Sequence, residues 1–414
     1  MSLLQLKLNS HCREMNICGV DIIGNPDTHT IIGLDDEGMA LIKRIKDHEI
    51  IDDSLLTENE KLLIREMTSS GYFLQNIKER SIISTYLHVT SHCNLSCPGC
   101  YSFEENRNNL RNLTLDEIKT ILNNLTRAGL EDLVISGGEP FCRDDIEEIL
   151  RYAKIECGIK QVECITNGTA DINRYRAASK HVDKLSFSID SADPESAMIR
   201  SENVFNKVKE KILILRNEGA NIEIIFTIHH GNIAQCKRMV EFADELKVSR
   251  RLSIFTVEKN EKISDLMLDP DDYKKFKNLV ISGEHTISVE DSSLGGCLGC
   301  IDSCGAGKNT IAIASDGSIY PCHMFVGKKQ LIIGNAIKDD IKTVVNNTQN
   351  NMLYNLTVDD VEQCKGCKIR YVCGGGCRFR AYATEGNIYG SDPMCEIYHE
   401  SKLAAFNSIV NACK

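Results

Sequence analysis

The chain has 414 residues, 42% of them apolar and 26% charged, with a formal charge of −11 at pH 7: the make-up of a globular protein long enough for two or three domains. The acidic balance argues against a chain built to neutralise nucleic-acid phosphates, and no run of eighteen apolar residues offers a membrane span. Nothing at the N-terminus reads as an export signal, so a cytoplasmic location is expected, where thiols stay reduced and the 19 cysteines point to metal ligation more than to disulfides.

The first predicted elements form a small unit over residues 1–82. Extended apolar segments around Gly19–Gly24 and Thr28–Leu34 precede a helical pattern from Asp35 to His48. A second helix runs from Thr57 to Ser69, opened by the capping box Thr57/Glu60, and Gly71-Tyr72-Phe73 reads as a closing strand. From about residue 84 the rhythm changes. Short β-rich runs at Tyr86–Val89, Leu133–Ile135, Val162–Thr166, Lys184–Ile189, Ile222–Ile228 and Leu252–Val257 alternate with amphipathic stretches such as Leu115–Arg127 and Val204–Leu215. Alternation of this kind implies a parallel sheet of right-handed βαβ units, and six units are too few for a closed eight-stranded barrel. The expected fold class is α/β, with a partial (β/α)6 barrel over residues 83–290. After about residue 290 periodicity is lost, and glycine and cysteine dominate Gly295–Gly307 and Cys364–Cys377. Residues 291–414 are therefore expected to form a loop-rich domain held together by metal clusters.

Cys93, Cys97 and Cys100 form C-x3-C-x2-C directly after the first β run. Three thiolates on one loop can hold three corners of a cubane cluster and leave one iron open to a ligand. A zinc loop completed by His92 or a distant residue is the alternative. With Tyr101 following, and with Gly137-Gly138-Glu139-Pro140 ending the second strand, the pattern resembles the radical S-adenosylmethionine (SAM) superfamily. The resemblance implies that SAM chelates the open iron of a [4Fe–4S] cluster and is cleaved by one electron to a 5′-deoxyadenosyl radical, which abstracts hydrogen from substrate. It places the cofactor's methionine amino group at Gly137, Gly138 and Glu139. Thr166-Asn167 at the third strand end and Ser188 at the fourth would meet the ribose and the methionine end, and Arg200 would bind the carboxylate. Strand C-termini converging on one ligand is what such a sheet provides. His229 and His230, at the fifth strand end, are assigned no role.

The C-terminal cysteines read Cys304-x12-Gly317-x4-Cys322, then Cys364-x2-Cys367-x5-Cys373-x3-Cys377, then Cys395. This pattern is similar to the SPASM extension of peptide-modifying radical enzymes and sulfatase-maturating enzymes. The resemblance implies two auxiliary [4Fe–4S] clusters, three clusters in all. Cys304, Cys322 and Cys377 would hold the first, with Cys297 or Cys300 as fourth ligand, and Cys364, Cys367, Cys373 and Cys395 the second. A zinc ribbon is the alternative for Cys364/Cys367. His323 stands where the sulfatase-maturating relatives carry a catalytic aspartate, which argues against oxidation of a sulfatase residue by their route. Cysteines 12, 18, 142, 157, 164, 236 and 413 lack ligand spacing and read as packing residues.

Residues 1–82, in a β-β-α-α-α-like order, resemble the small winged-helix domains that recognise leader peptides, in which the leader pairs with an exposed strand edge. The three resemblances together imply a maturase of a ribosomally made precursor peptide, served by a reductant protein such as flavodoxin or ferredoxin. The expected product is a thioether from a cysteine sulfur to a carbon of another residue, as in sactipeptides and ranthipeptides. A carbon–carbon cross-link, or an electron-transfer scaffold without radical chemistry, are the alternatives.

Overall fold

The computed structural model describes residues 3–48, 50–73, 82–103, 107–193, 199–200, 202–258, 263–281, 298–347 and 349–412, with residues 202 and 203 described by their backbone alone. In the first unit β1 (Leu3–Gln5) is followed by β2 (Arg13–Ile17) and β3 (Val20–Asn25). The β2–β3 hairpin turns at Cys18 and Gly19, both at positive φ, as a two-residue primed turn requires. Next come β4 (Thr30–Leu34), helix α1 (Asp36–His48), β5 (Ile50–Asp52) and helix α2 (Glu58–Ser69). Strands β2-β3-β4 make one antiparallel sheet with β4 at its edge, and β1 pairs with β5. Both bonds of the Thr57/Glu60 capping box are present at α2, and Phe73 closes on Leu8. Between α1 and α2 there is a single 3-10 turn, Asp53–Leu55, in place of a third full helix.

This sheet is apolar on both faces. Ile23 and Leu34 join Leu41, Ile45, Met67 and Tyr72 in a core with α1 and α2, whereas Ile17 and Ile22 belong to the main core of the rest of the molecule. The polar face that a free-standing sheet would show to water is therefore absent here.

The main sheet is built from β6 (Ser84–Thr90), β7 (Asp132–Gly137), β8 (Gln161–Thr166), β9 (Lys184–Ile189), β10 (Ile222–Ile228) and β11 (Ser249–Ile254). All six are parallel and each neighbours the next in sequence. The helices between them are α3 (Leu115–Arg127), α4 (Ile146–Arg151), α5 (Ile172–Ala178), α6 (Glu202–Asn217) and α7 (Cys236–Leu246); α8 (Pro270–Ile281) follows β11. Leu87, Ile135, Phe187, Ile224 and Leu252 pack outward against the helices; Ile118, Ile121, Leu122 and Leu125 of α3 supply one such face. The alternate residues, among them Tyr86, His88, Ser136, Ser188 and Thr227, point to the other face, where the site lies.

Beyond residue 298 the expectation of lost periodicity needs correction. Strands β12 (Thr310–Ile313), β13 (Ser318–Tyr320) and β14 (Gly334–Asn335) extend the main sheet to nine strands, β12 running parallel beside β6 and the last two antiparallel. Strands of four, three and two residues are too short to show alternation; the turn between β12 and β13 is Asp316-Gly317, flanked by Ser315 and Ser318. Short helices α9 (Ile341–Asn346), α10 (Glu362–Lys365), α11 (Arg370–Cys373) and α12 (Arg378–Glu385) and the longer α13 (Cys395–Ala412) complete the chain. The expected domain boundary at 290/291 lies outside the described residues. No helix among those described is long and apolar enough to cross a membrane.

Candidate functional site

The loop after β6 carries Cys93, Cys97 and Cys100, and residues that follow it in sequence hold it. Asn112 Oδ1 accepts the Ser91 backbone N–H at 2.6 Å, and Asn108 Oδ1 accepts that of Cys93 at 2.9 Å. The guanidinium of Arg107, 5% exposed, donates to the Leu95 carbonyl and approaches Cys100 Sγ at 3.9 Å. Burial pushes the Cys93 and Cys97 thiols up, and the positive charges of Arg107 and Arg200 act against that shift at the two sulfurs in turn. Sequence reasoning missed Arg107 and Asn112, which carry no ligand spacing.

The glycine pair at the end of β7 is fitted to this loop by backbone contact. The amides of Gly138 and Glu139 donate to the carbonyls of Thr90 and His92, each at 2.7 Å. A Cβ on Gly137, whose φ is +131°, would stand 2.3 Å from the Thr90 oxygen, and one on Gly138 2.1 Å from the His92 oxygen. Only glycine permits this approach. Ser102 Oγ donates to the Gly137 carbonyl at 2.9 Å, and the Tyr101 and Ser136 hydroxyls share a bond of 3.1 Å.

Glu139 is buried and joins two strand ends. Its carboxylate accepts the Thr166 hydroxyl at 2.7 Å and the backbone N–H groups of Asn167 at 2.7 Å and Phe141 at 3.1 Å. Burial raises its pKa, and these donors oppose the rise. Asn167 Nδ2 donates to Asn94 Oδ1 at 3.0 Å and lies 3.9 Å from Cys93 Sγ. Asp190, at the end of β9, receives the amides of Ile199 at 2.5 Å and Arg200 at 3.0 Å.

These residues enclose a cavity of about 1070 Å³ of space open to solvent. It brings together all three loop cysteines with Tyr101, Gly137, Gly138, Glu139, Thr166, Asn167, Ser188 and Arg200. Inside it, Nε and Nη1 of Arg200 are buried with no hydrogen-bond partner, Nη1 standing 4.0 Å from Asp190 Oδ1. A buried guanidinium with open donors is a receptor for a carboxylate, so the residues present fit SAM. His323 and Met324, directly after Cys322, also line the cavity. His323 stacks on Tyr86 at 4.0 Å between ring centres and meets Tyr101 edge-on at 5.4 Å.

A second cleft of about 420 Å³ is lined by Cys364, Cys367, Cys373 and Cys395 together. Burial pushes Cys373 up to about 12 and Cys395 up to about 11, with their neighbouring cysteines adding to it. Cys304, Cys322 and Cys377 pack around a separate apolar cluster containing Tyr320, Phe325 and Phe379. Asp392 links the two groups. Its Oδ2 accepts the Cys377 amide at 2.6 Å, its carbonyl accepts that of Cys395 at 2.9 Å, and buried Arg380 binds its carboxylate at 2.8 and 3.1 Å. Cys300, fully buried, packs with Val358 and Tyr371 in a small cluster that Cys364 also joins, and lies beside Gly24 and Met15 of the first unit. Cys297 lies outside the described residues. Among the described residues no three cysteine sulfurs lie within 4.8 Å of one another.

The chain matches the radical SAM superfamily over residues 87–243 and the SPASM iron–sulfur cluster-binding domain over residues 304–368. It is 27% identical to the AdoMet-dependent heme synthase of Methanosarcina barkeri over 76% of this chain and 96% of that one. It is 24% identical to the PqqA peptide cyclase of Streptomyces rochei over 75% and 88%. Its fold is similar to the crystal structure of Streptococcus suis SuiB bound to S-adenosylmethionine, with a TM-score of 0.60, 16% identity, and coverage of 94% of this chain and 100% of that one. A cavity ringed by strand ends, with three cysteines on the loop after the first strand of the parallel series, is the site of a radical SAM domain, and the chain carries one. It also carries a SPASM domain, so its cofactors are SAM, a [4Fe–4S] cluster and auxiliary iron–sulfur clusters.

Proposed function

We propose that this chain matures a ribosomally made precursor peptide by joining a cysteine sulfur to a carbon of another residue. The observation that carries the reading is the shared lining of the main cavity: the loop of Cys93, Cys97 and Cys100 lines it together with His323-Met324, next to Cys322. A site that starts a radical reaction thus lies beside ligands suited to an electron acceptor. Cys93, Cys97 and Cys100 would hold the radical cluster. Arg200 would hold the SAM carboxylate, and Gly137, Gly138 and Ser188 would surround its methionine end. Tyr101, Glu139, Thr166 and Asn167 keep the strand ends and the cysteine loop in register. When bound, the cofactor and the reduced cluster supply a 5′-deoxyadenosyl radical that removes a hydrogen atom from the peptide.

Closing the thioether from S–H and C–H then releases one further proton and one electron. Cys304, Cys322 and Cys377 would hold an auxiliary cluster able to take that electron; Cys364, Cys367, Cys373 and Cys395 would hold the second. The fourth position of the first auxiliary cluster would fall to Cys297, to Cys300 or to a substrate thiolate, and the last of these would make sulfur the attacking atom. Residues 1–82 would bind the leader, 83–290 carry out the radical step and 291–414 hold the auxiliary clusters, in the cytoplasm with flavodoxin or ferredoxin as electron donor. The similarity to a PqqA peptide cyclase supports a peptide substrate and keeps a carbon–carbon cross-link as the second reading.

Reconstituted holoenzyme, SAM, reductant and the precursor should give a peptide lighter by two hydrogens per cross-link. Alkylating the precursor's cysteines should stop the change. Loss of two hydrogens from a cysteine-free precursor would favour the carbon–carbon reading.

A further inference from the structure

Resting on the peptide reading above, we propose that the first unit selects its partner by charge: the cleft between the edge of β4 and α2 accepts an extended segment in which apolar and basic residues alternate. Strand β4 has β3 on one side and no strand on the other among the described residues, so its outer N–H and C=O groups form an open template. Helix α2 runs alongside, and Asn59, Leu62, Leu63 and Glu66, at positions i, i+3, i+4 and i+7, face the gap as one stripe. The cleft holds about 990 Å³ of space open to solvent. A strand added to an edge sits roughly 4.8 Å away and turns alternate side chains to one face, which here would meet Ile32, Leu63 and Leu62. Leu62 is 57% exposed, although it lies on a helix whose other face is core.

The polar rim has one sign. Asp35, Glu37, Glu60 and Glu66 line the cleft, and no lysine or arginine does. Glu60 is paired with Arg44 at 3.0 Å, Glu37 accepts the Thr57 hydroxyl at 2.6 Å, and Asp35 accepts the Gly38 amide at 2.8 Å. Of these partners only Arg44 is charged, so the Asp35, Glu37 and Glu66 charges face the gap uncancelled by a cation of its own lining. Added segments with acidic side chains would be repelled along the whole edge, and basic ones drawn to it. Charge would therefore decide which extended chain is captured, and the apolar stripe would decide its register.

The test uses the full-length holoenzyme and two fluorescein-labelled dodecapeptides, one alternating Val and Lys and the other Val and Glu, read by fluorescence anisotropy. The Val/Lys probe should bind at least about tenfold tighter at low salt, losing that advantage as salt screens it. Glu66→Lys should weaken it about fivefold, whereas Glu147→Lys, an exposed acid on α4 outside the cleft, should not. Leu62→Ser, which removes the apolar contact and leaves the charge unchanged, should weaken binding of both probes. Equal affinity for the two probes, or equal weakening by Glu66→Lys and Glu147→Lys, would overturn the charge proposal. Circular dichroism of each variant guards against misfolding. The two readings fail separately. A wild-type enzyme that modifies no peptide sinks the peptide reading. An enzyme that modifies its precursor equally well with Glu66→Lys, at precursor concentrations far below saturation, sinks only the charge proposal.

Discussion

Around Cys93, Cys97 and Cys100 the cysteine loop is set by backbone. Strand β6 delivers it, the amides of Gly138 and Glu139 clip it to the end of β7, and Asn108 and Asn112 hold its amides. Around Cys377 and Cys395 there is no such platform. There the ligand backbone is held by buried charge: Asp392 and Arg380, 1% and 6% exposed at their side chains, and Arg378, which donates to the carbonyls of Ile388 and Gly390 at 3.0 and 2.9 Å. The sheet lends the first site rigidity already gained from its apolar core. The second shares that core through Val372, Cys373, Met394 and Ile397 but holds its ligand backbone by ion pairs and by the clusters as well, which makes it the more fragile of the two.

Breaking one partner of the buried pair should give the largest effect. Arg380→Met leaves the Asp392 carboxylate buried without its cation, at a cost of about 3–5 kcal/mol. The thermal midpoint of the holoenzyme should fall, with auxiliary iron lost before the radical cluster. Equal loss of iron from both regions would remove the distinction. The matching lesion in the first region is Gly138→Ala. Its Cβ must push away the His92 carbonyl, moving the cysteine loop by a fraction of an ångström or more. SAM cleavage should fall on the order of a hundredfold while the fold, read by thermal unfolding, changes far less.

Arg200→Gln sharpens the comparison within the cavity. It removes the open, charged donors and leaves the cysteine loop in place. The dissociation constant for SAM, measured by equilibrium dialysis, should rise roughly tenfold to a hundredfold, with iron content unchanged. The smallest effect belongs to a pair away from both sites, an exposed histidine on a buried aspartate. His230 Nδ1 lies 2.6 Å from Asp272 Oδ2, which raises the pKa of His230, and the partners of Asp272 hold its pKa below the usual aspartate value against its burial. The histidine's contribution is complete below the unfolded value near 6.5 and is lost as pH rises through its raised folded value. The aspartate's contribution is present above its unfolded value and is lost as pH falls through the depressed one. His230→Ala should therefore flatten the decline in thermal midpoint above neutral pH and leave SAM cleavage unaltered.

The parts of the site legible in the sequence were those written locally. The cysteine spacing, the glycine pair and the strand-end residues each sit within a few positions of a predicted strand, and the main cavity gathers them all. The capping box at Thr57 was legible for the same reason. What stayed hidden depends on contacts between distant segments. Arg107 and Asp392 look like any surface charge until the chain folds over them. Strands β12–β14 are too short to show a period. Cys300, spaced like a ligand beside Cys297 and Cys304, packs beside Gly24 of the first unit and in one cluster with Cys364, a placement that spacing alone does not give. Spacing reports what a loop can ligate and not which way a side chain turns once another unit covers it.

The central claim is that the radical site and the first auxiliary group serve one cavity and one two-electron oxidation. It is tested most directly by a single turnover with the radical cluster as the only electron source, followed by freeze-quench electron paramagnetic resonance and product analysis. The account predicts one 5′-deoxyadenosine per peptide made lighter by two hydrogens, with the electron then found on an auxiliary cluster. Deoxyadenosine formed with an oxidised peptide and no reduced auxiliary cluster, or with a peptide of unchanged mass, would contradict it.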